Sequence, residues 1–116
     1  MDSDITSPII VAEGLDVCFY RTVGDAALAL EGPDVLAGIY RAYDAAGRRL
    51  QLRTDGGPHD YSARVHIELA TTPAAVPELR ALLRDFLVQL GPPMPPPDAE
   101  LQALVAAAVQ RAGYCQ

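Results

Sequence analysis

The spacing of apolar residues changes period partway along the chain. Leu15, Val17 and Phe19 alternate with Asp16, Cys18 and Tyr20, which predicts a strand with those three apolar residues on its inner face. Arg64-Val65-His66-Ile67-Glu68-Leu69 alternates strictly and predicts a second, with Val65, Ile67 and Leu69 inward. Between them, Ile39–Tyr43 and Arg48–Arg53 flank Asp44-Ala45-Ala46-Gly47. Aspartate opens such turns and glycine supplies a left-handed residue at their end, so this stretch predicts a β-hairpin. Pro8–Ala12 is a short apolar run, an edge strand or a packed arm, punctuated by Glu13-Gly14.

From Pro77 onward the period is helical. Leu79, Leu82, Leu83, Phe86, Leu87 and Leu90 form one stripe, and Leu101, Leu104, Val105, Ala108, Val109 and Ala112 another. Pro77 suits a first helical turn and Gly91 ends the first helix. Residues 91–97 are a stiff proline-rich connector, Asp98 is the expected cap of the second helix, and Gly113 its stop. Upstream, Thr22-Val23-Gly24-Asp25 has the spacing of a helix cap, with a helix continuing to Leu30 and stopped by Gly32-Pro33-Asp34. Residues 54–62 read as a loop, and residues 1–7 as a polar arm. The predicted order is β-α-β-β-β-α-α: an α+β fold with an antiparallel or mixed sheet of about four strands. The C-terminal helix pair packs on one face, and an extra strand is open at the N-terminus.

Composition makes this one domain spanning 1–116. The chain has 116 residues, 50% of them hydrophobic and 21% charged, too few for two independently folded cores. A net charge of −6 argues against nucleic acid as the partner, because phosphate neutralisation needs a basic surface. The acidity is local. Residues 1–47 carry eight acids against Arg21 and Arg41, whereas the remainder balances seven acids with seven arginines. All nine basic residues are arginine, the usage expected of a GC-rich bacterial genome. The first residues lack the positive charge of a signal peptide and no apolar run reaches membrane-spanning length, so a cytoplasmic protein without a membrane partner is expected. In that setting Cys18 and Cys115 are expected to be free thiols.

Candidate chemistry is sparse. His59, Asp60 and His66 match no zinc spacing, and no metal or cofactor is expected. Cys18 has no local group that would favour a thiolate, and reads as a packing residue. Gly56-Gly57 lacks the Lys-Ser/Thr of a phosphate loop. The most distinctive cluster is basic: Arg49, Gln51 and Arg53 share one face of their strand, and Arg64, His66 and Glu68 share one face of theirs. If these strands pair, the arginines offer bidentate contacts to an anion or acidic partner, on what is otherwise an ordinary solvated sheet face. Arg80 and Arg84 lie one helical turn apart, a like-charge pair without an assigned role.

These features point to a small non-catalytic interaction protein, of an inhibitor, immunity or regulatory type, that binds a protein partner. The acidic half would steer a basic partner through Asp16, Asp25, Glu31, Asp34 and Asp44, and the other candidate contacts are Arg49, Arg53, Arg64 and His66. The alternative is a small-molecule-binding or catalytic module with a pocket between sheet and helices, using Cys18, Tyr40, His59 and His66. Homo-oligomerisation through an uncovered sheet edge is compatible with either.

Overall fold

Strand side chains alternate between the two faces of a sheet, and in this chain one face is packed along all five strands and the other over β1, β2 and β3. The computed structural model describes residues 4–115. Five strands form one sheet: β1 (Ile9–Glu13), β2 (Asp16–Tyr20), β3 (Tyr40–Tyr43), β4 (Arg48–Thr54) and β5 (Val65–Ala74). Their spatial order is β2-β1-β3-β4-β5, and every neighbouring pair is antiparallel. The fold is α+β, with the N-terminal run Ile9–Glu13 supplying a fifth strand beyond the four counted from periodicity. Two short helices, α1 (Val23–Ala29) and α2 (Gly32–Leu36), carry the chain from β2 across to β3, and α3 (Val76–Leu90) and α4 (Leu101–Ala112) follow β5.

The helix pair covers one face. Ile10, Ala12, Val17, Phe19 and Tyr43 meet Leu79, Leu83 and Leu87 of α3 and Leu101, Leu104, Val105 and Ala108 of α4 in one cluster. Phe19 and Phe86 stack edge to face with ring centroids 5.8 Å apart, a favoured aromatic geometry. The opposite face forms a second cluster: Ile9, Val11, Tyr20, Ala42, Leu50, Val65 and Ile67 surround Ala26 and Leu30. All five strands contribute to it, and α1 contacts both edge strands, β2 and β5. The sheet therefore curls around this second core, and α1 closes the gap.

Local signals explain most element ends. The Thr22 hydroxyl accepts from the Asp25 N–H at 3.0 Å, the capping bond its spacing predicts. Three expectations are corrected. Gly32-Pro33-Asp34 does not merely stop a helix but starts α2, with proline in the first turn where its missing N–H costs nothing. Leu15 lies in the β1–β2 turn and is 74% exposed, because the strand begins only at Asp16. Glu100, not Asp98, is the N-cap of α4, and its side chain makes no capping bond.

Arg80 and Arg84, left without a role by the sequence, brace the connector: Arg80 donates to the Ala99 carbonyl and Arg84 to that of Pro96. Arg111 reaches back from α4 to the carbonyls of Leu90 and Gly91. These bonds fix the helix pair through its link as well as its stripes.

The predicted hairpin is β3–β4, and Gly47 closes its turn with φ +84°. A Cβ there would lie 3.2 Å from Val76 Cα and closer still to Val76 Cγ2. Gly47→Ala combines left-handed strain with overpacking and is expected to cost about 2 kcal/mol. Chemical denaturation would check this, and an unchanged midpoint would show that the α3 start can shift away.

Candidate functional site

One end of the sheet gathers acid. Strand pairing sets Glu13 opposite both Asp16 and Tyr40, so the β1–β2 turn and the entry to β3 lie side by side. A cleft of about 250 Å³ opens there, bordered by Glu13, Asp16, Cys18, Tyr20 and Tyr40. The Tyr40 hydroxyl points at the Asp34 carboxylate, 3.4 Å away. Burial, with the Asp34 and Glu13 charges adding to it, pushes that hydroxyl up to about 12. Burial and Glu13 also push Tyr20 upward. The Tyr40 phenol acts here as a hydrogen-bond donor to Asp34. In the chain segments next to these acids the fold leaves apolar side chains outside: Leu15 at 74% exposure, Leu36 at 51% and Ile39 at 40%. Leu36 and Ile39 flank the turn through Gly38 that delivers the chain to β3.

The other candidates are placed elsewhere. Asp25 sits exposed in the first turn of α1 and borders a separate groove with Arg21. Asp44 is fully buried, and its expected place on a binding surface is corrected. Its carboxylate organises the hairpin turn: Oδ1 accepts from the N–H groups of Ala46 and Arg48 at 3.1 and 3.0 Å. Oδ2 accepts from the Thr6 N–H at 3.1 Å and from Arg48 Nε at 2.9 Å. The arm is correspondingly docked rather than loose over its described part. Ile5 is buried in the second core, and the Ala45 N–H donates to the Thr6 carbonyl at 2.9 Å. Residues 1–3 of that arm lie outside the described residues.

The basic cluster is brought together in part: Arg53 lies opposite His66 and Gln51 opposite Glu68 on β4 and β5, while Arg49 falls at a register shift and Arg64 precedes β5. Its charges are then largely matched from within. Arg53 lies 3.6 Å from Glu68 and 3.9 Å from Asp55, and His66 meets Asp55 at 2.8 Å. The hydrogen bond from His66 holds the Asp55 carboxyl below its usual range. Arg49 reaches Glu78 on α3 at 3.4 Å, and Glu78 also accepts the Tyr43 hydroxyl. Burial and this partner push Tyr43 up to about 12. Arg64 makes no ion pair among the described residues. A face matched this way is a poorer anion receptor than four unpaired cations would be.

The expectation of free thiols is also corrected, because Cys18 and Cys115 form a disulfide. Cys18 lies on the second-core face of the edge strand β2, on the side opposite Val17 and Phe19, and the tail after α4 brings Cys115 to it. Their separation of 97 residues hid the pairing from local inspection. Of the residues named for a small-molecule module, Cys18 and Tyr40 border the same cleft, but Cys18 is bridged, His59 is exposed in its loop, and His66 lies on the far strand pair. Among the described residues, no group of three or more His, Cys, Asp or Glu is placed to hold a metal ion. No helix of the described residues is long and apolar enough to cross a membrane. Comparisons with known protein families, curated proteins and solved structures find no match to this chain.

Proposed function

We propose that the chain is a small, non-catalytic interaction protein that binds a basic surface of a protein partner, in the manner of an inhibitor or immunity protein. The observation that carries this reading is the acidic end of the sheet. There, Glu13 and Asp16 border a cleft, Asp34 accepts from the Tyr40 hydroxyl on its wall, and Leu15, Leu36 and Ile39 are exposed in the neighbouring chain segments. Apolar side chains left outside beside one sign of charge are what a protein-binding patch needs: burial for affinity, and a field for orientation and fast encounter. Of the sequence candidates, Asp16 and Asp34 belong to this surface, while the matched arginine face contributes less. The expected cytoplasmic location stays in the proposal with one amendment. The cytosol keeps thiols reduced, so the Cys18–Cys115 bond would need an oxidant there.

The test is capture of a stoichiometric partner from source-cell lysate at low and at physiological salt, followed by affinity measurement. Glu13→Lys with Asp16→Lys should weaken binding at least tenfold and flatten its salt dependence. Arg49→Gln with Arg53→Gln should leave it within about twofold. Reversal of this pattern would move the site to the β4–β5 face, and capture of nothing at low salt would sink the reading.

A second reading is favoured by an open groove of about 520 Å³ between the arm, the β3–β4 turn and α4. Its walls are uncharged, with Pro8, Val105 and Val109 beside Gln102, Gln110 and Tyr114, and its volume is within the range of small-molecule sites. A neutral apolar compound that shifts the Val105 and Val109 methyl resonances would support it.

A further inference from the structure

The tail after α4 runs around the β2 border of the sheet. Tyr114 packs against the helix-pair core on one face and Cys115 against the second core on the other. The Arg21 guanidinium sits 4.3 Å from the centre of the Tyr114 ring. The Cys115 N–H donates to the Phe19 carbonyl at 2.8 Å, occupying a backbone acceptor of the edge strand. The disulfide to Cys18 then ties the tail down, with the two Cα atoms 5.6 Å apart. Besides that bond, the tail is held, among the described residues, by one backbone hydrogen bond, one cation–π contact and two half-buried side chains. Cys115 also borders a surface groove with Arg21, Asp25, Leu28 and Ala29, which gives an incoming thiolate an approach.

The geometry points to the Cys18–Cys115 bond being a reducible latch, opened by a protein dithiol, that controls access to the β2 edge. One thiolate of the reductant attacks Cys115 Sγ. The Cys18–Cys115 bond breaks, and its electron pair leaves on Cys18 Sγ. The reductant's second thiolate then attacks its own sulfur in the mixed disulfide and expels the Cys115 thiolate. The reductant ends as a disulfide, and the two protons of its thiols end on Cys18 and Cys115. Neither core loses a fully buried side chain in this change, since Tyr114 and Cys115 only pack at their margins. The sheet and helices therefore persist while the Phe19 carbonyl and the β2 border come open. An open strand border is a template for strand addition, which the closed latch denies.

The experiment compares the oxidised protein, the same protein reduced with dithiothreitol or with a thioredoxin-type protein dithiol, and Cys115→Ser without reductant. Carboxypeptidase digestion past Tyr114 should be at least tenfold faster in the reduced protein and in the variant. The amide resonances of Val11 and Ala42, at the sheet centre, should keep their folded positions. Equal digestion rates in all forms would overturn the latch. So would loss of the Val11 and Ala42 folded signals on reduction, which would make the bond a staple of the whole fold. A bond that the protein dithiol cannot open would overturn it as well.

Discussion

Asp44→Ala is expected to lower stability by about 3 kcal/mol or more, and the melting temperature by about 10 °C. The carboxylate is fully buried and accepts from three backbone N–H groups and the Arg48 guanidinium. Removing it strands the Thr6, Ala46 and Arg48 amides and leaves Arg48 without its counter-charge. The exposed side of Arg48, whose side chain keeps 32% exposure, softens only that last cost. Asp44→Asn separates the two halves of the site. Its amide oxygen can still serve Ala46 and Arg48 N–H, but its NH2 group would face the Thr6 N–H and Arg48 Nε, donor against donor. Asparagine is therefore expected to rescue the turn and not the arm. Denaturant unfolding of both variants checks the magnitude. A loss below about 1 kcal/mol for alanine would mean that water replaces the carboxylate at little cost.

The disulfide carries the second large effect. It joins residues 97 apart and so closes almost the whole chain into one loop. On the chain-entropy account, closing a loop of about 100 residues is worth about 4.7 kcal/mol, and measured effects usually fall somewhat lower. Reduction, or Cys18→Ala with Cys115→Ala, should remove about 3 kcal/mol, with the melting temperature falling by about 10 °C. The remaining fold should stay cooperative, because every buried member of both hydrophobic clusters lies outside the tail. Calorimetry with and without dithiothreitol reads this directly. Identical transitions for the oxidised and double-alanine proteins would refute a stabilising role.

Where a signal was local, the sequence announced the structure. The 3, 1, 3 spacing of leucines in α3 and α4, the alternation in β5, the Thr22 cap and the Asp44–Gly47 turn are all set by residues within one or two turns of each other. What the sequence hid depends on distance. Asp44 reads as one more acid in an acidic half, because Thr6, one of its partners, lies 38 positions away. The cysteine pair is invisible for the same reason. Arg80 and Arg84 look like an unfavourable like-charge pair until the connector's carbonyls are placed beside them. Leu15 misled because alternation marks a face without marking where the strand begins. The acidic end was half legible: Asp16 and Asp34 could be named, but Glu13 and the exposed Leu36 and Ile39 join them only through the register of β1 with β3.

The closing of the curled sheet by α1 has a consequence for how the molecule loosens. This closure is a helix of only seven residues, well below the length at which a helix holds itself together in water. Ala26 is the one residue within it that is fully buried, and Leu28 spends 89% of its surface on solvent. The second core is thus closed by short helices, whereas the first lies between the sheet and two long ones. Val65 and Ile67 should meet water through transient departure of α1, at a free energy below that of global unfolding. The same protein then has two opening thresholds, a low one on the α1 side and the full one on the α3–α4 side.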